Sequence, residues 1–240
     1  MHFLNLSNGV NPIASFVLDL LFPIVCQGCS AEGTWLCLTC QGKISPAAAH
    51  CMVCGKNSFV GKIHDSCRSR DVYLSGVMVA ADYKNESVQK LIWNLKYNSV
   101  RAIGQTLGLV LADFFIGQDL LDYFGAAAVV PVPLHRARQR HRGFNQAALV
   151  AAEFCSRTGL EYCDVLTKTK NTARQVDLEK KEREKNVKAV FTCPPLPSFG
   201  ERRIILVDDV ATTGATLNEC ARVLHAQKTA EIWGMVVARN

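Results

Sequence analysis

The segment from Ile204 to Thr216, which reads IILVDDVATTGAT, constrains this chain more than any other part of its sequence. Four apolar residues, 204–207, follow one another without alternation, which predicts a strand buried on both faces of a parallel sheet. Asp208 and Asp209 come directly after them, and a helical pattern begins near Leu217. Because open α/β sheets bind ligands at the carboxyl ends of their strands, we expect a binding site here.

The loop between this strand and the helix is built from small and hydroxylic residues. It comprises Ala211, Thr212, Thr213, Gly214, Ala215 and Thr216. A tight turn that opens a helix offers backbone N–H groups and a positive dipole end, which suit a phosphate. The two carboxylates beside it suit sugar hydroxyls or a hard cation. A plain strand–turn–helix corner with a threonine N-cap is the alternative, and the adjacent acids favour a site for a phosphorylated sugar.

This stretch also resembles the signature with which type I phosphoribosyltransferases bind 5-phosphoribosyl-1-pyrophosphate (PRPP). The resemblance implies that Asp208 and Asp209 hold the ribose hydroxyls and that Ala211 to Thr216 hold the 5′-phosphate. A Walker A loop is excluded, because no G-x-x-x-x-G-K-[ST] motif occurs in the chain.

Near the N-terminus, cysteines recur in pairs with the spacing of zinc ligands. Three C-x-x-C pairs and one H-x-x-C pair occur: Cys26/Cys29, Cys37/Cys40, Cys51/Cys54 and His64/Cys67. Two thiolates separated by two residues fit neighbouring corners of a zinc tetrahedron, so the pairs predict one or two structural zinc ions. The simplest pairing joins the first two pairs and then the last two, and a crossed pairing is the alternative. Redox pairs or disulfides would explain the spacing less well, given its repetition.

Composition bounds the remaining possibilities. The chain has 240 residues, 49% of them apolar, and a net charge of +6. No apolar run approaches the length of a membrane span, so none is expected. The clustering of cysteines favours metal binding in the cytoplasm over a disulfide framework. We predict an N-terminal helix and double zinc ribbon over residues 1–70 and a phosphoribosyltransferase-like domain over residues 71–240.

Strand and helix patterns alternate through the second part of the chain. Strands are predicted near residues 77–83, 126–130, 161–166, 203–208 and 231–238, with helices over 86–97 and 102–116 and from about residues 144 and 214. This alternation predicts an α/β fold with a parallel sheet.

Arginines are concentrated just after the 126–130 strand. Arg138, Arg140 and Arg142, with Arg136, are expected on a loop where an anionic ligand would be met. Arginine binds phosphate oxygens bidentately, so this loop is predicted to bind pyrophosphate; a solvated basic loop or a nucleic-acid patch is the alternative. The charged segment 167–191 is expected to form a lid or, over 177–188, a solvated helix.

Several segments together resemble the ComF family of phosphoribosyltransferase-fold proteins, which includes ComFC and GntX-like proteins. The resemblance rests on the paired cysteines, on Leu95-Lys96-Tyr97, on Val130-Pro131-Val132-Pro133-Leu134, on Arg142-Gly143-Phe144-Asn145-Gln146, on Thr172-Ala-Arg-Gln175 and on the PRPP signature. His64 departs from the usual cysteine. The family implies a type I phosphoribosyltransferase-like sheet, binding of PRPP with Mg²⁺, and a role in DNA uptake during natural transformation.

Two hypotheses follow. In the first, PRPP with Mg²⁺ lies between the 208–216 loop and the arginine-rich loop, and the chain transfers a phosphoribosyl group. In the second, the fold is kept without turnover, and the chain binds single-stranded DNA or a competence helicase through the arginines and the zinc module.

Overall fold

The computed structural model describes residues 23–172, 187–195, 199 and 201–239. Five parallel strands form its central sheet in the order β1–β7–β6–β2–β3. Their bounds are Gly76–Asp82 (β1), Ala128–Pro131 (β2), Glu161–Tyr162 (β3), Arg203–Ala211 (β6) and Glu231–Arg239 (β7). A separate antiparallel pair joins Thr167–Lys168 (β4) to Phe191–Thr192 (β5).

Helices connect these strands and cover both faces of the sheet. Their bounds are Leu38–Gln41 (α1), Glu86–Tyr97 (α2), Ala102–Gly117 (α3), Leu121–Phe124 (α4), Arg136–Arg142 (α5), Gln146–Thr158 (α6) and Ala215–His225 (α7). The predicted fold class is confirmed as α/β, with a parallel sheet and a small N-terminal module whose cysteine groups could hold zinc. The likeness to type I phosphoribosyltransferases stays a prediction.

Both faces of β6 are buried, which explains its unbroken apolar run. Ile205 and Val207 join the core formed with α2, α3 and α6, whereas Ile204 and Leu206 join the core that contains α7. Successive strand residues point to opposite faces, so a strand covered on both sides needs apolar residues at every position. The same alternation continues past residue 207, so the side chains of Asp208 and Asp209 point to opposite faces of the sheet.

The cysteine-rich module lies across the β1 edge of the sheet and contacts both cores. Cys26 and Cys40 are buried in the core on the α2 side, whereas Cys51 and Ile63 are buried in the core on the α7 side. Between them, a bridge pairs Lys62 with Gly76 at the start of β1. The module is therefore packed against the sheet through apolar contacts on both faces. The division of the chain at residue 70 stays a prediction.

Gly61 makes this close approach possible. A Cβ atom at this position would lie 2.0 Å from the carbonyl oxygen of Val77 on β1. Its φ of +81° also lies in the left-handed region that glycine tolerates without a steric penalty. A larger residue here would push the module away from the sheet edge.

Three local expectations differ from the structure. Strand β6 continues to Ala211, so Asp208 and Asp209 belong to the strand and do not follow it. Residues 136–142 form a short helix where a loop was expected, and β3 is limited to two residues. The predicted N-terminal helix and residues 173–186 of the charged segment lie outside the described residues. Across the part of the chain that the structure describes, no helix has the length and apolar character needed to cross a membrane.

Candidate functional site

Asp208 and Asp209 lie near the carboxyl end of β6, at the centre of the sheet. Neighbouring β2 ends at Pro131, which pairs with Val207, so the carboxylates stand just beyond that strand's end. Asp209 is buried, with an exposure of 6%. The backbone N–H of Asp209 donates to Asp208 Oδ1 at 2.8 Å. Two adjacent carboxylates are thus held where ligands of parallel sheets bind.

Lys96, near the C-terminus of α2, neutralises part of this charge. Its Nζ lies 2.9 Å from Asp209 Oδ1. Burial alone would lower the pKa of Lys96, but the Asp209 and Asp208 carboxylates raise it above its usual value, so the side chain stays protonated. We did not predict Lys96 as a site residue. A lysine in the last turn of a helix is common, and only the packing of α2 against the sheet brings it to Asp209.

Asp208 has an unusual acidity in this setting. Burial is the main cause that raises its pKa, the neighbouring Asp209 adds to it, and the pKa reaches about 7. Lys96 and Lys168 act in the opposite direction. At neutral pH, Asp208 is therefore poised between its protonated and ionised forms. An acid whose pKa is perturbed by burial and by a specific charged neighbour is typical of functional sites.

The predicted phosphate loop adopts the expected turn. Gly214 has a φ of +75° and is the N-cap of α7, and Thr213 Oγ1 accepts a hydrogen bond from Ala215 N at 3.3 Å. The hydroxyl of Thr212 is buried without a hydrogen-bond partner among the described residues. A buried hydroxyl without a partner is costly unless something else supplies one. The loop thus offers a hydroxyl donor and a helix start to an anion.

Two contacts from the N-terminal part of the chain support this loop and its helix. A Cβ atom on Gly214 would lie 1.8 Å from Met52 Cε, so the methionine packs directly against the turn. Asn218 on α7 accepts from Tyr73 N at 2.9 Å and donates to Asp71 O at 2.7 Å. Met52 lies between two predicted zinc ligands. The cysteine-rich module therefore contributes to the shape of the predicted phosphate loop.

The predicted arginines do not share one orientation, because they lie on helix α5. Residues two apart on a helix point in very different directions, whereas residues four apart share a face. Arg138 donates to the backbone carbonyl of Thr172, and its charge contributes to lowering the pKa of Lys168. Lys168 in turn interacts electrostatically with Asp208. Arg142, on the same helix face as Arg138, is half-buried, and Arg140 is exposed.

The described ends of the charged segment 167–191 come together at this edge. Thr167 pairs with Thr192, and Lys168 pairs with Phe191. The part that we expected to form the lid, together with the Thr172-Ala-Arg-Gln175 motif beyond Thr172, lies outside the described residues.

The first group of metal ligands matches a zinc tetrahedron. Cys26, Cys29, Cys37 and Cys40 have their sulfur atoms within 4.8 Å of one another. The Sγ atoms of Cys29 and Cys37 are 3.6 Å apart, and sulfurs bound to one zinc at about 2.3 Å lie about 3.8 Å apart. Burial acts to raise the pKa of Cys26, yet backbone N–H groups, first that of Cys37, lower it to about 6. The pKa of Cys40 is instead raised to about 12, chiefly by the neighbouring Cys37 and Cys29 side chains. The closeness of the four sulfur atoms means that the group could hold a zinc ion.

The second group consists of Cys51, Cys54, His64 and Cys67, again within 4.8 Å. His64 Nδ1 lies 3.3 Å from Cys54 Sγ, and His64 Nε2 lies 3.2 Å from the carbonyl oxygen of Asn57. A carbonyl at that distance accepts the Nε2 proton, which leaves Nδ1 as the ligand nitrogen. This arrangement is typical of metal-binding histidines. The eight predicted ligands thus form the two groups of the simplest pairing, and both could hold zinc.

A pair of exposed aromatic residues lies on α2 and not next to the arginines in the chain. Phe144, which follows the arginines in the chain, is buried with 4% exposure. Trp93 and Tyr97 on α2 are instead half exposed, and their ring centroids lie 5.7 Å apart. Lys90 lies three residues before Trp93 and shares this face of the helix.

The chain is 29% identical to competence protein F of Haemophilus influenzae, over 85% of this chain and 90% of that one. It is 27% identical to the DNA utilization protein YhgH of Escherichia coli K12, over 89% and 97% of the two chains. It is also 26% identical to competence protein ComFC of Bacillus subtilis, over 85% and 84%.

No family model matches the chain. Among solved structures, the crystal structure of TT1426 from Thermus thermophilus is similar at 18% identity and a TM-score of 0.32, over 56% of this chain and 81% of that one. The sequence matches confirm the resemblance that the motifs indicated, over nearly all of the chain. The chain is therefore a homologue of competence protein F and ComFC.

Proposed function

We propose that this protein binds PRPP with Mg²⁺ at the carboxyl end of β6 and acts in the handling of DNA taken up by the cell. One observation carries the proposal: the acidic pair Asp208/Asp209 lies beside Lys96 and the Gly214 turn, at the centre of the parallel sheet. The names of the homologues, competence protein and DNA utilization protein, support the physiological part.

The geometry suits each part of PRPP. The unpartnered Thr212 hydroxyl and the start of α7 would receive the 5′-phosphate. Asp208 and Asp209 would hold the ribose hydroxyls, with Mg²⁺ bound to oxygen ligands of the site. Lys96 pairs with Asp209, and the charges of Lys96 and Lys168 both act on Asp208. The charge of Arg138 acts in turn on Lys168. These side chains would stabilise a pyrophosphate leaving group.

Transfer of the phosphoribosyl group would then depend on charge placement. Loss of pyrophosphate from C1 of the ribose develops positive charge on the sugar, and an amine or base nitrogen would form the new bond. Fixed carboxylates stabilise that charge without a covalent intermediate on the protein. Exclusion of water, by the 167–191 segment, would protect the sugar from hydrolysis.

Calorimetric titration with PRPP and Mg²⁺ tests this proposal. The wild type should bind with saturation, and the double substitution Asp208→Asn/Asp209→Asn should abolish the signal. Asp119→Asn, on the exposed α3–α4 connection, is the matched control and should bind as the wild type does. A wild type without measurable PRPP binding would refute the proposal.

A second candidate function is binding of single-stranded DNA without turnover, alone or with a competence helicase. The observation that favours it is the exposed Trp93/Tyr97 pair with Lys90 on the same helix face. Aromatic faces stack with bases of any sequence, and lysines contact the backbone.

Fluorescence anisotropy with a labelled oligonucleotide tests the second function. Trp93→Ala and Tyr97→Ala should each weaken binding by about 1–3 kcal/mol, the usual value of one stacked base. Tyr162→Ala, an exposed aromatic residue flanked by Glu161, is the control and should change little. If neither substitution on α2 nor a change in salt concentration alters the DNA affinity, this surface is excluded as the DNA-binding site.

A further inference from the structure

A second cleft opens beside the candidate PRPP site, at the β2–β3 side of the sheet. It has a volume of about 380 Å³, within the range of small-molecule sites. Its lining comes from the start of α3, from α5, from the start of α6 and from the segment that leads into β4. Asp208, Asp209 and the Gly214 loop are not among its lining residues. Among its lining residues, Lys168 is the side chain to which the function proposed above assigns a role.

The charges in this cleft are unbalanced. Among the described residues of its lining, the cations are Arg101, Arg136 and Lys168, and the one carboxylate is Asp164. None of these four side chains is in an ion pair within the described part of the chain. Three cations and one acid on the described lining leave a net positive charge, which favours an anionic ligand.

Arg101 is held in place by neutral groups. Its guanidinium lies 5.4 Å from the centre of the Phe144 ring, and its Nη1 donates to Gly143 O at 3.4 Å. An aromatic face and a carbonyl fix the plane of the guanidinium but leave its charge without an acid to neutralise it. Such an arginine is oriented for a bidentate contact with phosphate. Arg136, in the same cleft, has no hydrogen-bond partner among the described residues.

The remaining lining suits the other parts of a nucleotide. Leu134 and Leu149 are half-buried and offer an apolar wall of the kind that a base covers. Asn145 donates through Nδ2 to Val132 O at 3.0 Å, and its amide oxygen has no partner among the described residues. The Gln139 amide is also available. Apolar walls with a few fixed polar groups are typical of small-molecule sites.

From these contacts we infer that the cleft binds a nucleotide, with its phosphate on Arg101 and Arg136. The nucleotide is either a free nucleoside monophosphate or one unit of a single strand, since both present the same phosphate and base. This site shares Lys168 with the candidate PRPP site, but its phosphate contacts, Arg101 and Arg136, have no role there, so the inference goes beyond the function proposed above. Its failure and the failure of PRPP binding are therefore independent.

Substitutions with opposite expected effects on nucleotide affinity test the inference. Arg101→Met and Arg136→Met remove a charged contact to phosphate, so each should weaken binding by about tenfold or more. Asp164→Asn removes the carboxylate that repels phosphate, so it should tighten binding. A general loss of structure would weaken binding in all three variants. Arg157→Met, on the exposed part of α6 and paired with Glu153, is the matched control.

Binding to the full-length protein is measured with three probes: deoxythymidine 5′-monophosphate, a 5′-phosphorylated oligothymidylate and its 5′-hydroxyl counterpart. Arginine-dependent binding of the mononucleotide identifies a free or terminal nucleotide as the ligand. Arginine-dependent binding of both oligonucleotides, without the mononucleotide, identifies an internal unit of a strand. The inference is overturned if no probe binds, or if the affinities are unchanged in both Arg101→Met and Arg136→Met. PRPP titration of the same variants should match the wild type.

Discussion

The ion pair between Lys96 and Asp209 leads to a quantitative prediction about the candidate site. Lys96→Met keeps most of the side-chain volume but removes the ammonium group, and it leaves the buried Asp209 beside Asp208 without its nearest cation. Removing one partner of a buried pair costs about 3–5 kcal/mol. Because the Lys96 side chain is 26% exposed, water replaces part of the interaction. We therefore expect a loss of roughly 2–3 kcal/mol in the free energy of unfolding.

A double-mutant cycle separates this interaction from other effects. Asp209→Asn should also destabilise the protein, since it leaves the ammonium unpaired, and the double variant should lose less than the sum of the two. The coupling energy should be about 2 kcal/mol, well above the scatter of such cycles. Lys90→Met, on the exposed face of the same helix, is the control and should change stability by less than about 0.5 kcal/mol. Urea unfolding followed by circular dichroism provides the values.

Binding of Mg²⁺ tests the role of Lys96 by a second measurement. In Lys96→Met the two carboxylates no longer share their charge with an ammonium group, so they should bind a hard cation more readily. Mg²⁺ without PRPP should then stabilise Lys96→Met more than the wild type. Equal stabilisation of both proteins would show that Lys96 and the metal do not compete. A Lys96→Met variant as stable as Lys90→Met would refute the argument for the pair itself.

Three further predictions concern acidity, metal content and packing. The pKa of Asp208 is raised from 3.8 to about 7 in the folded protein. Its stabilising contribution to the free energy of unfolding is therefore fully present below the unfolded pKa and is lost as the pH rises through about 7. The difference in free energy of unfolding between the wild type and Asp208→Asn, measured in urea, should follow that profile. Metal analysis should return about two zinc ions per chain and about one in His64→Ala, since each tetrahedral site needs four ligands; one zinc in the wild type would contradict the second site. Gly214→Ala should cost about 1–2 kcal/mol from its left-handed φ plus a smaller cost from the overlap with Met52. Only the overlap should disappear in the Met52→Ala background, and a variant as stable as the wild type would contradict both terms.

Much of the site could be predicted from local sequence. The apolar run 204–207 indicates a strand covered on both faces, and the Gly214 turn marks the start of a helix. Both signals depend on residues that are close in the chain, as do the C-x-x-C pairs. Local backbone preferences and ligand spacing are encoded in a few neighbouring residues, so the sequence alone is enough to identify them.

The arginine segment shows where such reasoning fails. Residues 136–142 were expected to be a loop, because their charges suggested an open ligand-binding segment. In the structure they form a helix that starts with a hydrogen bond from Ala137 N to His135 Nδ1 and ends at the left-handed Gly143. The helix turns successive arginines to different sides. One side meets the 167–172 segment, and the other lines the second cleft.

The sequence by itself determined the α/β alternation, the acidic end of β6, the turn at Gly214 and the two groups of residues that could hold zinc. The tertiary structure alone decided which distant groups meet there: Lys96 with Asp209, Met52 with Gly214, and the two halves of the cysteine-rich module with opposite faces of the sheet. These contacts join segments that are far apart in the chain. They are selected by the burial of apolar surface over the whole molecule, which no local pattern records.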